Sequence, residues 1–145
     1  MRLAILSLAA LATLAACDSS LEVQPCTDTS PLAIVDSLEV PGTGQPATIN
    51  SVVNVRYRGQ LTNGVVFDST GVDGNGTPRV ATLVLPRMLL GFRFGVGGTE
   101  TIPAMKIGGT RRIVVPPNLG YGPVENGDIP ACSTLLFDVE LVDLG

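Results

Sequence analysis

From Leu32 onward the chain is a series of short apolar runs separated by turn signals: LAIVDSLEV, then Pro41 to Gly44, then SVVNVRYRG, VVF, VATLVL, RRIVV and TLLFDVELV. Period-two alternation is clearest in two of them. Val53, Val55 and Tyr57 face one way against Asn54, Arg56 and Arg58, and Leu135, Phe137, Val139 and Leu141 oppose Asp138 and Glu140. Such alternation predicts antiparallel strands buried on one face. Asn63 and Gly64 stand between two of these runs, and both tolerate the positive φ of a type I′ turn. They predict a hairpin that sets Tyr57 and Phe67 on paired strands. Only Pro86 to Val96 suits a helix. Pro86 sits near its start, Met88, Leu89 and Phe92 fall on one side, and Gly95, Gly97 and Gly98 stop it. One short helix against a twisted sheet predicts an α+β domain.

Length and composition narrow the possibilities further. A chain of 145 residues is long enough to bury one sizeable core without a metal. Nine Lys and Arg against 13 Asp and Glu give a net charge of -4, and the pair Arg111 and Arg112 is expected at a strand edge facing water. Nucleic acid is therefore not expected as a partner. Histidine is absent, which removes Ser-His-Asp and Cys-His catalytic groupings and His-bearing zinc sites together. GVGG at Gly95 to Gly98 lacks phosphate-loop spacing and reads as a helix stop. DGNG at Asp73 to Gly76 has too few carboxylates for a calcium loop and reads as a flexible turn. No metal or cofactor is expected.

The N-terminus is of another kind. Arg2, an apolar run from Leu3 to Leu14, and LAAC at Leu14 to Cys17 look like a secretion signal. The same residues resemble the bacterial lipobox, which implies acylation of Cys17 and its exposure as the mature N-terminus; an ordinary cleaved signal peptide is the alternative. The apolar run is shorter than the about 20 residues a transmembrane helix needs, so the expectation is an anchored protein. The chain divides into a signal over 1–16, a tether over 17–31 rich in Ser, Thr, Asp and Pro, and a folded domain over 32–145. Three cysteines in an exported protein leave one odd. Lipidation of Cys17 removes it, and Cys26 and Cys132 then either pair in an oxidising envelope or stay as two free thiols.

In order, VRYRGQLTNGVVFDS, MLLGF, MKIGGTRRIVVPPNLGYG and TLLFDVEL resemble the FKBP-type peptidyl-prolyl cis/trans isomerases over nearly all of residues 33 to 143. The resemblance implies a curled antiparallel sheet of about five strands wrapped around one short helix, with a proline pocket between them. It implies Tyr57, Phe67 and Asp68 on one wall, Phe92 as the floor where the family carries Trp, Tyr121 as a hydroxyl donor and Phe137 as the inner wall. Met88 and Leu89 would be the aliphatic pair before the helix, the Leu89 N–H binding a ligand carbonyl. Ile129, within the segment Asp128 to Pro130, would overhang the entrance. Five of the six aromatic residues thus fall on pocket positions, Phe94 being left over; the alternative is that they are simply core. The pre-helix strand around Arg79 to Ala81 lacks the family's aromatics, and Gly97 to Ala104 looks like an insertion. A second register, with Phe94 in the pre-helix strand, would leave no floor.

Twisting an Xaa-Pro bond needs neither a nucleophile nor proton transfer, which suits a chain without histidine. The resemblance implies isomerisation of Xaa-Pro bonds in unfolded or exported proteins and sensitivity to macrolide inhibitors; the lipobox implies a bacterial cell envelope protein held there by lipid alone, and nothing in the sequence demands more than a monomer. The rival class is a binding or chaperone module that uses the same apolar pocket with little turnover. A third is a purely structural domain whose pocket has filled in.

Overall fold

A computed structural model of the chain describes residues 25–34 and 39–145. The signal sequence, Cys17 and the first half of the tether lie outside the described residues. Six strands form one sheet: β1 (Ala33–Ile34), β2 (Val52–Leu61), β3 (Val66–Ser69), β4 (Ala81–Val84), β5 (Thr110–Val115) and β6 (Leu135–Leu144). All pairings are antiparallel, in the order β1-β5-β6-β2-β3. The ten-residue β2 shares its outer edge between two short partners, with Val52–Val55 against β4 and Arg58–Gln60 against β3. That division makes six strands out of the expected five or so. It leaves the sheet curled but not closed around one helix, α1 (Leu90–Gly97).

The alternation read from the sequence is the alternation of burial. Val53 and Val55 of β2, Ile113 and Val115 of β5, and Leu135 and Leu141 of β6 are fully excluded from solvent. Each fully buried aliphatic side chain of this kind contributes about 1.5–3 kcal/mol of burial free energy. The helix lies on β5, and its glycines permit the close approach. A Cβ at Gly91 would come within 2.4 Å of Val115 Cγ1, and one at Gly95 within 2.6 Å of Ile113 Cδ1. Phe92 and Val96 alternate with these glycines and complete the core.

Three local expectations are corrected. The hairpin turn is not type I′, because Gly64 alone has positive φ, at 88°. Gly64 N donates to Leu61 O and Leu61 N to Val65 O, which makes a three-residue loop ending in a left-handed glycine, while Asn63 Oδ1 accepts from Val65 N. Pro86 does not open the helix. It sits in a 3-10 turn, Leu85–Arg87, and α1 starts four residues later at Leu90. Arg111 does not face water: β5 runs between β1 and β6, so it has no free edge. Arg111 points inward at 4% exposure, paired with Glu39 and donating to Gly95 O at 2.8 Å and Pro103 O at 2.7 Å. A buried guanidinium is tolerable there because its donors are met, two of them by carbonyls at and beyond the negative end of α1. Arg112 faces outward and pairs with Asp138.

GVGG does stop the helix, with Gly98 N bonded to Phe94 O. The following insertion is a compact turn in which Thr99 N bonds Ile102 O and Met105 N returns to Val96 O. DGNG is an ordered turn, closed by Asp73 Oδ1 accepting from Asn75 N and Thr77 N. The described part of the tether is fastened to the domain: Cys26 and Cys132 are disulfide-bonded with Cα atoms 5.3 Å apart. Asp28 accepts from Ser30 N and from the Thr134 hydroxyl.

Candidate functional site

The side chains expected at the pocket come from four separate parts of the chain. Tyr57 stands on β2, Phe67 and Asp68 on β3, Phe92 on the first turn of α1, and Phe137 on β6. A β-bulge aims Phe67. Gly59 pairs with Asp68 and Gln60 with Val66, so Phe67 is the extra residue on β3. Its ring turns over Gly59, where a Cβ would lie 2.7 Å from Phe67 Cε2 and 3.0 Å from Phe137 Cε1. The missing side chain at Gly59 is what leaves room for the two rings to meet.

The rings form a chain of edge-to-face contacts. Phe67 and Phe137 have centroids 5.6 Å apart, Phe137 and Phe92 5.2 Å, and Phe92 and Tyr57 6.1 Å. Interplanar angles of 72° to 85° suit the quadrupoles of aromatic rings. They bound a cavity of about 350 Å³, whose lining also includes Met88, Leu89 and Tyr121. Eight of the nine expected pocket residues therefore meet in one concavity. The ninth, Ile129, does not line it: it is 5% exposed and packs into the core. An isoleucine in a loop lowers its free energy by folding under that loop. Phe94 lies on α1 outside the lining, so the helix adopts the register that provides a floor.

Polar groups at the cavity are few. The Tyr57 hydroxyl donates to Asp68 Oδ2 at 2.6 Å. Burial, then the hydrogen bond to Asp68 and its charge, holds this hydroxyl above the ordinary tyrosine range. Folding therefore favours the neutral form: the stabilisation is whole below about pH 10, the unperturbed value, and is lost as pH rises through the folded-state value. In an ultraviolet titration, the difference between wild type and Tyr57→Phe should show no ionisation near pH 10. A normal tyrosine step there would mean that the hydrogen bond is absent in solution. Losing it should cost about 1 kcal/mol. The Tyr121 side chain is exposed, and Leu89 is the N-cap of α1, where the first N–H groups have no partner within the helix.

Sequence reasoning missed three residues here. Leu83 and Arg87 line the cavity, and Gly59 shapes it. The signal for Arg87 was a lone charge beside the apolar stretch Met88 to Leu90. Gly59 was legible as a glycine inside a strand, which marks close approach. A second groove of about 530 Å³ crosses the outward face between Arg56, Arg58, Arg112, Asp138 and Glu140. It is wide and open, and its lining combines apolar groups such as Val72 and Val139 with two ion pairs, Arg56–Glu140 and Arg112–Asp138.

A family model described as FKBP-type peptidyl-prolyl cis-trans isomerase matches residues 43–142. The chain is 38% identical over 119 residues to the FKBP-type peptidyl-prolyl cis-trans isomerase FkpA of Buchnera aphidicola subsp. Schizaphis graminum, covering 81% of this chain and 42% of that protein. It is 41% identical over 103 residues to FK506-binding protein 3 of Debaryomyces hansenii, covering 71% of this chain and 22% of that one. The chain thus spans less than half the length of these two curated relatives. The crystal structure of AtFKBP13 superposes with a TM-score of 0.63 at 31% identity, covering 84% of this chain and 99% of that one.

Proposed function

Because the chain belongs to the FKBP-type peptidyl-prolyl cis-trans isomerase family, we propose that it isomerises Xaa-Pro bonds of exported proteins and assists their folding in the cell envelope. The observation that carries this is the convergence of Tyr57, Phe67, Phe92 and Phe137 on one cavity of about 350 Å³. The barrier to amide rotation is about 18–20 kcal/mol, and it exists because the planar amide is resonance-stabilised. At the twisted geometry the carbonyl and nitrogen are decoupled and the group is less polar. An apolar cage therefore favours the twisted state over the planar one, and each 1.4 kcal/mol of preference is about a factor of ten in rate. In this assignment the four rings grip the prolyl ring. The Leu89 N–H and the Tyr121 O–H hold flanking carbonyls. Asp68 fixes the Tyr57 ring through its hydroxyl. Proton transfer has no part, so the absence of histidine is no obstacle.

The envelope location rests on the N-terminal sequence: the apolar run Leu3 to Leu14 followed by Cys17, which we assign as an acylated anchor. The Cys26–Cys132 disulfide is consistent with an oxidising compartment.

The test is cis/trans exchange of an Xaa-Leu-Pro-Phe peptide with the purified protein, with and without a macrolide that fills pockets of this family. Uncatalysed exchange takes about 10–100 s. Acceleration abolished by the macrolide is expected. Macrolide binding by a folded protein that leaves the exchange rate unchanged would assign it instead as a lipid-anchored binding module.

A further inference from the structure

One charged side chain on the cavity wall has no task in the mechanism above. Arg87 ends the 3-10 turn Leu85–Arg87 and lines the cavity beside Met88 and Leu89. It is exposed, and among the described residues no ion pair or hydrogen bond engages its guanidinium. The ion pairs there are Arg56–Glu140, Arg111–Glu39 and Arg112–Asp138. Arg93, one turn into α1, is a contrast, since it is held by Ile49 O and Asn50 Oδ1. The other charge in the lining, Asp68, accepts from the Tyr57 hydroxyl and does not pair with Arg87. Among the described residues the lining of this mainly apolar cavity thus carries a cation without a partner, on a protein whose net charge is -4.

We propose that Arg87 is a specificity-determining residue, selecting segments with an acidic side chain within one residue of the proline over segments with a basic one there. The inference rests on the isomerase reading of the cavity. A polypeptide whose proline sits among the four rings must carry its neighbouring residues over the rim. Arg87 is part of that rim, and the turn that carries it is anchored by the buried Leu85, by Pro86 and by the Met88 N–H bonded to Leu85 O at 3.0 Å. The root of Arg87 is therefore held in place while its guanidinium stays free. Guanidinium is the side chain suited to a bidentate grip on a carboxylate, and it repels a lysine or arginine of the segment. The site is open to water, so the effect is that of a surface ion pair: about two- to fivefold, and weakened by salt.

The experiment uses five peptides of one length: a Leu-Pro reference, and four with Glu or Lys placed immediately before or after the proline. Exchange rate and affinity are measured for each with the wild-type protein, Arg87→Gln and Arg87→Glu. At low salt the wild type should favour Glu over Lys by about threefold at one flank or both. Arg87→Gln should bring that ratio to near one, Arg87→Glu should reverse it, and high salt should shrink it. Arg58→Gln, on the outward face, should leave it intact. Equal handling of Glu and Lys by the wild type, or a preference that survives Arg87→Gln, would overturn the proposal. If the Leu-Pro peptide is not accelerated but Glu is still bound over Lys through Arg87, the specificity stands and the isomerase reading fails. If no peptide is bound or accelerated, both fail.

Discussion

Phe92→Ala is expected to lower the exchange rate by more than tenfold and to destabilise the domain by about 3–5 kcal/mol. Two functions meet in this residue. It is 4% exposed, so truncation leaves a cavity beneath the helix that Gly91 and Gly95 pin against β5. It is also the ring through which Tyr57 and Phe137 are connected. Stability and catalysis are separable by Phe92→Leu, which conserves most of the volume and should cost less than about 1.5 kcal/mol. If Phe92→Leu is folded and still loses most of the rate enhancement, the ring acts on the substrate. Full activity in Phe92→Leu would reduce Phe92 to a core residue and move the aromatic grip to the other three rings. Exchange rates and denaturant midpoints for both variants decide between these.

Loss of the Cys26–Cys132 disulfide, by reduction or by the double substitution to serine, is expected to destabilise the protein by about 4 kcal/mol. The bond closes a loop with a sequence separation of 106, near the upper end of what chain-entropy models assign to a single cross-link. For a domain of this size that corresponds to a fall in Tm of roughly 10–20 °C. The Asp28 contacts would remain as the clamp on the N-terminal segment. The hydrogen bonds from Ser30, then that from Thr134, hold the Asp28 carboxyl below the ordinary carboxylate range. Its contribution is present above that range and fades as pH falls through the folded-state value. Reduction should therefore loosen this segment most in acid, a trend that hydrogen exchange at Thr134 and Leu135 would register. An unchanged Tm after complete reduction would mean that the reduced chain already keeps the segment in place.

The strands were largely legible in the sequence because alternation reports which side a residue faces, whereas the cavity residues were legible only through the family resemblance. Tyr57 and Phe67 illustrate this: the runs that carry them identified the hairpin, although the turn differed. The turn differed because Asn63 uses its side chain to cap Val65 N and keeps negative φ, leaving the left-handed position to Gly64. A dipeptide signal cannot separate those two solutions. Arg111 was misplaced for another reason. Its burial depends on Glu39, Gly95 and Pro103, partners 72, 16 and 8 residues away in the chain, and local pattern contains nothing about them. Ile129 was assigned from family position alone, where its apolar side chain pointed equally well to a site beneath its own loop. The insertion after α1 lies away from the cavity. It follows the C-terminal end of the helix, whereas Met88, Leu89 and Phe92 gather at the N-terminal end, roughly 12 Å away at 1.5 Å per residue.

The staple at Cys26 also sets a leash. With Cys17 acylated as proposed, nine peptide units separate the lipid from the first point fastened to the domain. Fully extended they reach about 30 Å, about the diameter of a small domain. The cavity would work in a shell against the membrane surface, meeting polypeptides as they emerge there and not those diffusing through the wider compartment. Cutting the disulfide moves the first fixed point to the Asp28 contacts, a leash of about 37 Å, and where acid also releases Asp28 it moves to β1 at Ala33, at most about 55 Å. One covalent bond would thus govern how far from the membrane the protein can work.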